Sequence, residues 1–227
     1  MVNEIKSMDL DEKGIFKYNQ RNGVISPTYT CFPNNLCQAW EILNKSENCW
    51  GNINKYHTEY KRIPDKLTYF MRFENMMREV YKFYYPTEYN KWITDNTRDK
   101  WLYSDNSYPP NEIFKIMCIG FNLFLNIYNG EAFKPYCYIK SINVDGIINE
   151  IKNEKPVVCS FKLGTIPGHI MTIKGFDENN LTIYDTYGCS YLQNFETKNN
   201  GKILTFNQFK ELCKPLNENY KYSICFY

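Results

Sequence analysis

Thr30-Cys31-Phe32-Pro33-Asn34-Asn35-Leu36-Cys37 marks the point where an irregular polar stretch gives way to an apolar helix. Leu36, Ala39, Trp40 and Leu43 recur at the spacing of one helical face, which predicts a helix over residues 34–43. Pro33 suits the first turn, where its missing N–H costs nothing. Cys31 is thereby set at a helix N-terminus, in the positive end of the helix dipole. That setting favours thiolate, the form of cysteine that attacks carbonyls. Cys37 lies inside the same helix and is expected to face the core.

Residues 1–30 lack clear periodicity and read as a short strand or arm and a loop, with Asn22-Gly23 as a turn. Residues 46–66 are polar and turn-rich. Residues 67–85 have helix spacing, with Pro86 as the expected stop, and their Met and aromatic stripe reads as core. Residues 111–128 form a second apolar helix, ended by Asn129-Gly130. A short helix is expected at 145–152.

The texture changes after residue 155. Residues 156–161 are β-branched and apolar, residues 169–176 alternate as a strand, 177–180 turn, and 181–184 return as a second strand, which makes a hairpin. Residues 191–195 are expected to add a strand, 205–213 a helix N-capped by Thr205, and 220–227 a closing strand. A helical first half followed by an antiparallel β-rich second half is an α+β pattern rather than an alternating one. One domain over residues 1–227 accommodates it. A helical lobe covers about 1–142, including a 45–142 insertion, and a β lobe covers about 143–227.

Composition narrows the function. The net charge is only +2 with no long block of like charge, which argues against a nucleic-acid partner. The apolar run at 113–128 is interrupted by Lys115, Asn122 and Asn126, so no membrane span is expected. Nine cysteines, an odd number without a Cys-x-x-Cys pair, read as reduced thiols in a chain too long and too cysteine-poor for a disulfide scaffold. Two histidines without ligand spacing give no basis for a metal site, and no cofactor is expected. The polar N-terminus has no signal-peptide pattern, which reads as a cytoplasmic protein, or one released at lysis.

A histidine and an acid complete the chemistry. His169 opens one arm of the hairpin in Gly168-His169-Ile170-Met171, and Asp185 closes the other in Tyr184-Asp185-Thr186-Tyr187-Gly188. Folding the hairpin brings its open ends together, so the acid can orient the imidazole, and the imidazole can take a thiol proton. Gln20, upstream in Tyr18-Asn19-Gln20, is the side-chain candidate for an oxyanion hole beside the Cys31 N–H. His57 lacks any flanking pattern.

Cysteine, then histidine, then an acid or amide is the chain order of papain-like cysteine hydrolases. Gln20 with Thr30-Cys31-x-Pro-x-x-Leu36 resembles the nucleophile region of the bacteriocin-leader (double-glycine) peptidase-like cysteine peptidases. Pro156-Val157-Val158, Gly168-His169, Gly175-Phe176-Asp177 and Tyr184-Asp185 resemble that family's second half, while residues 45–142 match no part of it. Phe32 stands where the family has a small residue, Asn34-Asn35 replaces a common Thr-Ser, and Thr186 replaces a proline. The resemblance implies a papain-like fold, with the nucleophile helix in the helical lobe and the base on the antiparallel sheet. It makes Cys31 nucleophile, His169 base, Asp185 orienting acid and Gln20 oxyanion donor. It implies hydrolysis of a peptide or isopeptide bond through a thioester, on a peptide, protein or peptidoglycan substrate, and includes bacterial or phage endolysins cutting peptidoglycan peptides. A catalytically silent papain-fold binding module and an acyltransferase or amidase with the same triad are the alternatives.

Overall fold

The computed structural model describes residues 5–14, 31–45, 134–163, 166–185, 192–212 and 222–227, with shorter pieces at 82–83, 86–87, 115, 118–123, 125–126 and 132. In chain order its elements are β1 (Met8–Asp9), α1 (Cys31–Asn44), β2 (Cys137–Ser141), α2 (Val144–Lys152), β3 (Val157–Leu163), β4 (Ile166–Phe176), β5 (Asn180–Tyr184), β6 (Thr197–Lys198), β7 (Gly201–Thr205), α3 (Phe206–Leu212) and β8 (Tyr222–Phe226). Among the described residues, eight strands form one sheet in the order β2-β8-β3-β4-β5-β7-β6, with β1 added to β4. The pairings are antiparallel. An α+β architecture results, and two of its strands, β1 and β2, come from before residue 142.

The local chemistry explains most of these elements. Asn143 caps α2 by accepting from the Gly146 N–H at 2.9 Å, with Asp145 in the first turn and Lys152 in the last, where the helix dipole favours each charge. Thr205 and Gln208 form a reciprocal capping box at the start of α3, Thr205 N–H donating to Gln208 Oε1 (2.8 Å) and Gln208 N–H to Thr205 Oγ1 (3.2 Å). Two expectations need correction. Residues 192–195 form a turn, closed by the Phe195 N–H donating to the Leu192 carbonyl (2.9 Å), where the sequence pattern predicts a strand. Apolar residues three apart suit such a turn, and Leu192 is buried as its anchor. Pro86 and Thr87 are helical, where the pattern predicts a stop at Pro86. β2 and the β6–β7 hairpin are short strands that the alternation alone does not reveal.

Alternation along β4 assigns its two faces. His169, Met171 and Ile173 point one way, paired with Phe161, Cys159 and Val157 of β3. That face packs against α2 and α3 through Ile147, Ile151 and Phe209. Ile170 and Thr172 point the other way, toward α1, whose Leu36, Cys37, Ala39 and Ile42 are at most 1 % exposed. Leu36 and Ile42 each contribute about 1.5–3 kcal/mol by leaving water. Trp40 meets Phe121 (6.0 Å) and Tyr136 (5.4 Å) edge-on and lies tilted against Phe226 of β8, so α1 is buried between the sheet and residues around 121.

The lower end of β4 is secured differently. Lys174 is fully buried, and its ammonium donates to Asp9 Oδ1 (2.9 Å), the Asp11 carbonyl (2.9 Å) and the Asn199 carbonyl (3.0 Å). Asn199 Nδ2 in turn donates to Asp9 Oδ2 at 3.0 Å. One charge thus ties the N-terminal arm and the β6–β7 turn to the central strand. Gly175 permits it, since a Cβ there would lie 2.7 Å from the Met8 carbonyl oxygen. Removing one partner of a buried ion pair strands the other. Lys174→Met is therefore expected to cost about 3–5 kcal/mol in urea unfolding. The Asp9→Asn/Lys174→Met pair should cost less than the sum of the two single changes.

Candidate functional site

Adjacent antiparallel strands bring histidine and acid together. Thr172 pairs with Tyr184 across β4 and β5. Continuing that register one residue sets Asp185 beside Met171 and diagonal to His169 on the same face, a spacing that long side chains span. His169 Nε2 and Asp185 Oδ1 are 2.6 Å apart, with side chains 5 % and 0 % exposed. A bond this short to a carboxylate, out of water, fixes the ring's orientation. With Nε2 committed to Asp185, proton exchange with another group passes through Nδ1.

Cys31 is the first residue of α1, so the helix begins three residues earlier than its apolar periodicity predicts. The first turn carries no acidic residue to offset the positive end of the dipole. Asn35, one turn further along, fixes how α1 lies on β4. Its Nδ2 donates to the Ile170 carbonyl at 2.7 Å. Thr172 Oγ1 lies 2.8 Å from Asn35 Oδ1 and 3.2 Å from the Asn35 carbonyl oxygen, within reach of both acceptors. Asn35 thus ties α1 to β4 at residues 170 and 172, and Cys31 lies one helical turn before it. Gln20 and His57 lie outside the described residues. Cys37 is buried in α1, as its place in the helix predicts.

Other thiols are tuned away from reactivity. Burial pushes Cys159 up to about 12, and burial with the charge of Glu150 pushes Cys225 up to about 12. Burial also holds Cys137 well above the ordinary thiol value. Cys118 alone among them is drawn down, chiefly by its hydrogen bond with Cys137, whose sulfur is 3.6 Å away, but it is buried. Among the described residues no group of three His, Cys, Asp or Glu side chains is arranged to hold a metal ion. None of their helices is long and apolar enough to cross a membrane.

Asn35 and Thr172 carry an interaction that the helical periodicity did not single out. The signal was the Asn34-Asn35 pair itself, two amides in an otherwise apolar helix start, and Thr172 within an apolar strand.

The profile of a family described as Peptidase_C39 like family matches residues 18–213, a span that includes Gln20, Cys31, His169 and Asp185. No curated protein matches the chain.

The thiol environments lead to a selective-labelling prediction. A thiol at about 12 is ionised to about one part in ten thousand at pH 8. Iodoacetamide at pH 8 should leave Cys159 and Cys225 unmodified in the folded protein and modify both in urea, as read by peptide mapping. Raising the pH toward 12 should increase their labelling, because deprotonation supplies the nucleophile.

Proposed function

The chain belongs to the Peptidase_C39 like family, of papain-like cysteine peptidase type, and on that footing we propose that it is a cysteine peptidase with Cys31 as nucleophile, His169 as base and Asp185 as orienting acid. The observation that carries the reading is the buried 2.6 Å contact of His169 Nε2 with Asp185 Oδ1. Held in this way, the ring can exchange a proton with a thiol only through Nδ1, and Cys31 opens the helix α1 that packs on the same strand. The His169 side chain and α1 lie on opposite faces of β4, so the proposal requires the thiol to reach the imidazole around the beginning of the strand.

In the proposed reaction Nδ1 of His169 takes the Cys31 proton and the thiolate attacks the peptide carbonyl carbon. The Cys31 N–H and the Gln20 side-chain amide hold the oxyanion. Collapse of the tetrahedral intermediate breaks the C–N bond, and the imidazolium gives its proton to the departing amine. Water then attacks the thioester, its proton passing to His169; the C–S bond breaks, the acid is released and the thiol is restored. Asp185 orients the ring and stabilises the imidazolium at both stages. The bond cleaved is a peptide or isopeptide bond. Stem peptides of peptidoglycan are the specific substrate proposed, as for a phage-type lysin. Cys37, Cys118, Cys137, Cys159 and Cys225 are reduced thiols, in keeping with synthesis in a reducing cytoplasm before release at lysis.

The test compares wild type with Cys31→Ala on a peptide library and on purified cell wall. Cleavage by wild type alone is the expected result, and cleavage of neither by wild type would overturn the peptidase reading. Release of free acid marks hydrolysis, whereas transfer to an added amine marks an acyltransferase. Gln20→Ala should lower kcat by about 10²–10³.

A further inference from the structure

We infer that Asn35 and Thr172 are positioning residues that set how far α1 extends along β4, and so bring the thiol of Cys31 to the imidazole of His169. The inference rests on the reading of Cys31 and His169 as nucleophile and base, and adds to it the device that fixes their distance. Both residues are fully buried, in the one interface that joins the helix to the strand. Leu36, Ala39 and Ile170 are buried as well, and apolar attraction is non-directional and tolerates sliding. Asn35 is different. Its amide donates to the Ile170 carbonyl (2.7 Å), and its two oxygens lie 2.8 and 3.2 Å from Thr172 Oγ1. A slip of α1 by one helical residue, about 1.5 Å, breaks these bonds inside a region without water to replace them.

The consequence for chemistry follows from the geometry of the strand. Ile170 is the residue after His169, so the carbonyl held by Asn35 belongs to the backbone beside the base. Cys31 stands four residues before Asn35 on the same row of the helix. The clasp therefore references the nucleophile's helix directly to the base's strand. Misplacing reacting groups by about 1 Å costs on the order of 10²-fold in rate.

The probe is iodoacetamide, with Cys31 labelling followed by peptide mapping against pH. It needs no known substrate. In wild type, Cys31 should react at pH 6–7 faster than a free thiol, because a nearby imidazolium favours the thiolate. Thr172→Val removes the hydroxyl at nearly constant shape. It should slow Cys31 labelling at pH 7 by about 10- to 100-fold, move the midpoint toward the free-thiol value of about 8.5, and lower kcat similarly with KM nearly unchanged. Thr172→Ser, which keeps the hydroxyl, should restore both. Ile183→Val, in the core on the other face of the sheet, is the control for stability alone and should leave Cys31 labelling at the wild-type rate. If Thr172→Val does not fold, Asn35→Asp, which removes the donor to Ile170, takes its place with the same expectation. Wild-type labelling by the folded Thr172→Val or Asn35→Asp protein overturns the inference. So does equal slowing by Ile183→Val. A wild-type Cys31 no faster than a free thiol overturns the nucleophile assignment itself, and is told apart because it appears before any clasp variant is made.

Discussion

The antiparallel ladder that centres on β4 is the constraint on which the other parts depend. Its register with β5, Thr172 opposite Tyr184, determines that Asp185 falls diagonal to His169. A slip by one residue would turn Asp185 to the opposite face and separate the pair. The register with β3, Phe161 opposite His169 and Val157 opposite Ile173, is enforced by the burial of alternate side chains under α2 and α3. The hydrophobic core and the histidine–acid pair are therefore specified by the same pairing. Five apolar residues aligned on one face hold the strands in the only register that also unites the two titratable ones.

β4 is unusual for a central strand because it buries polar groups on the side facing α1. Thr172 is fully buried and bonded to Asn35; Lys174 is fully buried and bonded to Asp9, Asp11 and Asn199. Each carries a desolvation cost that its bonds must offset. Two apolar residues would make the contact with less cost but with less directional preference. Polar bonds across a buried interface penalise every arrangement except the one that satisfies them. The strand is thus referenced at its middle to the helix from residues 31–44, and near its end to the arm from residues 5–14.

Much of this was legible in the sequence because it is local. The helix after Cys31, the hairpin from 169 to 184, the helix at 145–152 and the Thr205 cap each depend on residues within a few positions of one another. Apolar spacing and capping chemistry report them directly. The hairpin also made the meeting of His169 and Asp185 readable, since folding it brings its ends together. The unread parts are non-local or short. β2 finds its partner at β8, some 85 residues later, and β6–β7 is a two-residue strand followed by a five-residue strand, too brief for alternation to stand out. Residues 192–195 form a turn where the pattern predicts a strand, because Leu192 and Phe195 suit either. Gln20 and the helix pattern of 67–81 fall outside the described residues.

Non-local geometry also explains why the polar clasp escaped the sequence reading. Nothing near Asn35 in the chain indicates that its amide will meet a carbonyl 135 residues away. An asparagine in the first turns of a helix is equally at home as a solvated residue or a local cap. What distinguishes it is complete burial, which exists only after α1 has been laid on β4. The same holds for Lys174, whose four-carbon stem in an otherwise apolar strand would ordinarily carry its charge to solvent. In this fold the arm brings Asp9 to it instead. Buried polar residues of this kind are therefore the places where the tertiary structure adds information to the pattern. Here one of them lies four residues from the candidate nucleophile, and its partner lies three residues from the candidate base.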